Sequence, residues 1–178
     1  MINFTDFVKE KNDEANKDSK RGNINPAERI AFFVKEVERL YEYIDTEWLK
    51  DEIQNQSIST GLTQISIREE SLGIYNVNSK WLQIGSERVT LQPIGTIMIG
   101  TKARVDLIYK EKNIMLVLIG ESMAHGSDLI SIKINGEYAR PPKKTGKLVW
   151  KYVTKNNRLS YITLTKSSFQ ELLMNIMQ

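Results

Sequence analysis

Cysteine is absent from the 178-residue chain. That removes disulfide staples, thiolate zinc sites and thiol nucleophiles together, and it agrees with a reducing cytoplasm. The single histidine, His125, cannot build a histidine-rich metal site; alone in a Gly/Ser-containing loop it reads as polar surface. Long apolar runs are missing too. The longest, residues 114–119, falls far short of the roughly 20 residues a membrane helix needs, and residues 1–20 lack the basic and apolar regions of a signal peptide. A cytoplasmic protein without cofactor, metal or membrane association is the expectation.

What is present is ordinary for a globular domain: 40% hydrophobic and 26% charged residues, in a chain long enough for one sizeable core. The net charge of +3 hides a segregation: residues 1–60 carry 9 basic and 13 acidic side chains, residues 61–178 carry 16 and 9. Between residues 133 and 158, Lys133, Arg140, Lys143, Lys144, Lys147, Lys151, Lys155 and Arg158 face Glu137 alone. Such a stretch suits an acidic partner, protein or nucleic acid.

Residues 1–24 read as a flexible N-terminal arm or short helix, and residues 25–178 as a single α+β domain. Asn25-Pro26-Ala27-Glu28 is a helix start, with a capping asparagine, proline where its missing N–H costs nothing, and glutamate at the capping-box position. Apolar residues then recur at three and four (Ile30, Phe33, Val34, Val37, Leu40, Tyr41, Ile44, Trp48, Leu49). That spacing predicts one amphipathic helix over residues 25–55, packed on a sheet. A homodimer through this helix is the alternative use of the stripe.

Alternation over residues 63–68, 73–77, 80–84, 88–91 and 102–109 predicts strands. Pro93 and Gly95 are expected to interrupt the strand that begins at residue 88 before a further strand over residues 96–99. Residues 114–119 are apolar on both faces, as in a central strand. Asn135-Gly136 is a type I′ hairpin turn, and residues 147–154 and 159–165 form a second hairpin. Ser168 and Glu171 suggest a capping box for a short C-terminal helix. The fold class is therefore α+β: a long N-terminal amphipathic helix on a largely antiparallel, strongly twisted sheet, closed by a short helix.

Fragments of catalytic motifs cluster in residues 88–125. Residues 95–102 resemble a P-loop with its last two residues exchanged, but Lys102 leads into a strand, not the helix that phosphate binding requires. Gly120-Glu121-Ser122-Met123-Ala124 follows an apolar strand as a nucleophile elbow does, yet strand alternation resumes where a helix should open. Asp106 and Glu121, on either side of a turn and an apolar strand, resemble the PD-(D/E)xK nuclease core. The resemblance implies Mg²⁺ held by the two carboxylates, with Met123 standing where that family has its catalytic lysine.

Cations also interleave with Trp150, Tyr152 and Tyr161, the pattern of a surface that tracks phosphates and stacks bases. Trp150 and Tyr152 share strand parity, which equally suits a core face. With no catalytic set intact, the leading expectation is a non-enzymatic binding or regulatory protein, immunity- or antitoxin-like or an accessory subunit, engaging a protein partner. Its contact surface would include Lys143, Lys144, Lys147, Lys151, Lys155 and Arg158. Nucleic-acid binding, with a degenerate nuclease core at Asp106 and Glu121, is the second expectation.

Overall fold

The computed structural model describes residues 25–96, 101–129, 132–134, 137–140, 146–155 and 158–178. The arm at 1–24, Gly100, the Asn135-Gly136 turn, Lys143 and Lys144 lie outside them. Helix α1 (Pro26–Tyr43) starts as its sequence dictates, the Asn25 Oδ1 accepting from the Ala27 N–H at 3.0 Å with Pro26 in the first turn. Its stripe of Phe33, Val37, Leu40 and Tyr41 is buried against the protein's own sheet, so the apolar face read as a dimer surface is spent internally.

The expected single helix to residue 55 is interrupted. Ile44–Trp48 forms a π-helical turn, and a short α2 (Lys50–Gln54) follows. A π turn holds one residue more than an α turn. It keeps Ile44 and Leu49 buried while swinging Trp48 onto Phe169, with ring centroids 5.3 Å apart.

The strands are β1 (Ile58–Glu69), β2 (Gly73–Ile84), β3 (Glu87–Gly95), β4 (Ala103–Tyr109), β5 (Lys112–Gly120), β6 (Ile132–Ile134), β7 (Glu137–Arg140), β8 (Leu148–Lys155) and β9 (Leu159–Thr163). A seven-stranded antiparallel sheet runs β1-β2-β3-β4-β5-β8-β9, and β6-β7 pair separately. Ile134 is opposite Glu137. Helix α3 (Lys166–Met177) closes the chain. Among the described residues no helix is long and apolar enough to cross a membrane.

Three further sequence expectations are corrected. Residues 73–84 form one strand, not two around Asn78-Ser79. The apparent break is a change of inward face, since Ser79 and Lys80 are both buried in succession. There β2 parts from β3: pairing ends at Lys80 and Leu91, and the hydroxyls of Tyr41 and Ser79 both reach the Leu91 carbonyl at 3.1 Å. Second, β3 runs through Pro93 to Gly95 with a register shift. Gly95 sits at φ +150°, and a side chain there would press on the Glu69 carboxylate. Third, helix α3 is capped one turn earlier than expected, by Thr165 with Ser168 as its reciprocal partner.

The main core lies between α1, α3 and one face of the sheet, centred on Leu82, Leu91, Val105, Leu107, Leu116 and Leu118. Val117, Ile119 and Met123 form a smaller cluster, and strand parity puts the first two on the opposite face. Beyond Ser79 the β1–β2 ribbon continues without β3. Its tip is fastened back by Glu69, which accepts from the Tyr75 hydroxyl and from the Thr96 N–H and hydroxyl at 3.0 Å each.

Candidate functional site

Asp106 and Glu121 are not brought together. Asp106 is opposite Met115 in the β4–β5 register, and Glu121 lies six residues further along the chain, ~20 Å at strand rise. The Asp106 carboxylate is buried and forked by Arg104, at 2.6 Å from Nε and 2.7 Å from Nη2. These bonds hold the guanidinium above its ordinary pKa. Asn113 Nδ2 approaches at 3.4 Å. Both carboxylate oxygens are thus engaged, while Glu121 is exposed. Met123, in the position of the nuclease lysine, is buried against Val117 and Ile119. No group of three or more His, Cys, Asp or Glu able to hold a metal occurs among the described residues.

The basic set divides. Lys147, Lys155 and Arg158 are exposed, but Lys147 and Lys155 sit at opposite ends of β8, ~26 Å apart at strand rise. Lys151 is turned inward and is 3% exposed. Its Nζ donates to the carbonyls of Glu121 (2.7 Å) and Met123 (2.6 Å), so it clamps the loop after β5 and is not a surface cation. Lys143 and Lys144 fall outside the described residues.

The aromatic side chains divide as well. Trp150 and Tyr152 pack in the main core, whereas Tyr161 packs on the opposite cluster, where burial raises its phenol pKa. They do not form one stacking platform. The loop carrying His125 is ordered by Asp128, whose carboxylate accepts from the N–H groups of Ala124 (2.9 Å) and His125 (3.0 Å). It lies along β9, with the Tyr161 N–H donating to the Ala124 carbonyl at 2.8 Å.

A cleft of about 330 Å³ opens between the end of α1, the π turn, β8 and the start of α3. Tyr43 and Trp48 line one wall, their rings stacked at 6.3 Å and 18°. Gln170 holds the π turn in place, its Nε2 donating to the Trp48 carbonyl at 3.0 Å. Trp150 also lines the cleft, and its buried indole Nε1 has no hydrogen-bond partner among the described residues. The other polar lining residues include Lys147, Lys166, Glu47 and the Arg39–Glu36 pair at 2.9 Å. Neither Lys147 nor Lys166 has an acidic partner among the described residues.

Sequence reasoning named Lys147 but missed Arg39, Trp48 and Lys166. Arg39 and Tyr43 share a helix face at i and i+4, but the five-residue step from Tyr43 to Trp48 hides the third member, because a regular helix would turn it away. Compared with protein-family models, with curated proteins and with solved structures, the chain matches none.

Proposed function

We propose that the protein is a non-enzymatic binding module, and that this cleft receives an acidic segment of a protein partner carrying an aromatic or aliphatic side chain. One observation carries the reading: Lys147 and Lys166, which have no acidic partner among the described residues, line the same cleft as the stacked Tyr43 and Trp48. Aromatic faces supply contact area at low entropic cost, and cations beside them reward a carboxylate. The N-terminus of α3 adds a favourable field for negative charge at the same rim. The volume suits one or two partner side chains, not a large cofactor. The opposing Glu36 and Glu47 favour ligands that combine charge with apolar bulk over bare anions.

The test follows tryptophan emission, since Trp48 and Trp150 line the cleft, while a capped peptide of alternating glutamate and phenylalanine is titrated in. Binding should weaken with salt, and about tenfold in a Lys147→Glu/Lys166→Glu double variant, two exposed charges being worth about 1.4 kcal/mol together. A glutamine-for-glutamate peptide that binds equally well would overturn the reading. So would a single-stranded oligonucleotide that binds in its place with a steep salt dependence.

A further inference from the structure

The two edges of the seven-stranded sheet are finished differently. Strand β9 is short and its outer side is covered: His125 bridges to Ser160, and the Tyr161 N–H is taken by Ala124. Strand β1 is 12 residues long, and among the described residues no strand pairs with its outer side. Proteins ordinarily blunt such an edge with proline, lysine, a bulge or a short length. Strand β1 uses none of them, since its register with β2 is one-to-one from Ile58 to Glu69. Residues 58–67 carry no charge; Arg68 and Glu69 come only at the far end.

We infer that β1 pairs antiparallel with β1 of a second copy of the chain, across a twofold axis at Leu62. An edge strand is its own complement under a twofold. With the axis at Leu62, residues 58–66 overlap themselves, so no charged side chain enters the seam and both copies of Arg68 and Glu69 fall outside it. Leu62, 55% exposed, then meets its own counterpart, which hides the most exposed apolar side chain of the strand. Gly61 beside it is covered by the Trp81 indole, itself stacked under Arg88 at 4.6 Å. The strand is therefore packed on one face at the axis even where it lacks a side chain. A register one residue away would lose the Leu62 pair and flip the facing set. The inference uses no residue of the cleft.

Sedimentation and cross-linking test it. The parent should sediment at twice the chain mass, and Leu62→Lys at the chain mass with its far-UV circular dichroism intact. Gln64→Lys, at an already exposed position, repeats the test should the first variant misfold. Because the chain has no cysteine, Leu62→Cys introduces a single thiol. Under mild oxidation it should cross-link several-fold faster than Met174→Cys, an exposed site on α3. A parent at the chain mass overturns the inference, as does a dimer that survives Leu62→Lys. A monomer whose amides at 58–66 resist hydrogen exchange also overturns it, the edge then being covered by the chain itself. The double-lysine variant of the cleft should keep its dimer mass, so the two proposals fail separately.

Discussion

Charged residues decide much of this molecule one at a time, and several of them do so from inside it. Lys80 is buried with its Nζ 2.7 Å from Asp45, Lys151 is spent on two carbonyls, and Asp106 is spent on Arg104. Sequence reading assigns Lys151 to a contact surface and Asp106 to a metal site, yet Lys80 and Lys151 each tie two segments together and Asp106 is held within its own strand. Burying a charge is tolerable only where its partners are in place. Asp106→Ala should therefore cost about 1–3 kcal/mol, the worth of hydrogen bonds to a charged group. Urea unfolding would read the loss, and Arg104→Met with Asp106→Leu should recover most of it, because replacing both partners removes the orphaned charge. An Asp106→Ala protein as stable as its parent would show that the ion pair contributes nothing.

Among the elements, the π turn at Ile44–Trp48 does most to shape the candidate site. An extra residue in one helical turn advances everything after it by ~100°, which brings Trp48 to Phe169 and against Tyr43. Deleting Thr46 would restore regular helix and rotate Trp48 and Leu49 out of their contacts. The expected loss is about 2–5 kcal/mol, as for removal of a large buried side chain, together with loss of the cleft. Thr46→Ala removes only the bond from its hydroxyl to the Glu42 carbonyl (2.8 Å) and should cost under about 1 kcal/mol. Equal thermal midpoints for the deletion and for Thr46→Ala would contradict the role given to the turn.

Across the whole molecule, stability is distributed unevenly along one meander. Strands β3, β4 and β5 are paired on both sides and carry fully buried Leu91, Val105, Leu107 and Leu116. Beyond Lys80, where pairing with β3 ends, the β1–β2 ribbon pairs only with itself and is fastened at its tip by Glu69, Tyr75 and Thr96. Native-state hydrogen exchange should find the slowest amides in β4 and β5 and exchange at least tenfold faster over residues 67–77, which lie outside the proposed seam, since ribbons with few long-range partners open locally. Uniform protection across both regions would argue for one cooperative unit instead. The same unevenness separates the two proposed surfaces, the cleft lying at the β8–α3 end and the open edge at β1.

The amino-acid pattern alone determined the α+β class, the start of α1 at Asn25-Pro26, the antiparallel hairpins and the apolar central strand β5. These rest on periodicity and turn chemistry, which act between residues close in the chain. The pairing of Arg104 with Asp106 is local in the same way, because i and i+2 share a strand face. Only the tertiary structure decided that Lys151 turns inward, that Trp150 and Tyr161 lie on opposite faces, and that Tyr43, Trp48, Lys147 and Lys166 share one cleft. Those outcomes depend on which strand neighbours which and on a single extra residue in a helical turn. Neither leaves a mark in local composition, since burial of a lysine or the placing of a ring is settled by partners distant in the chain, as Glu121 is from Lys151 and Gln170 from Trp48.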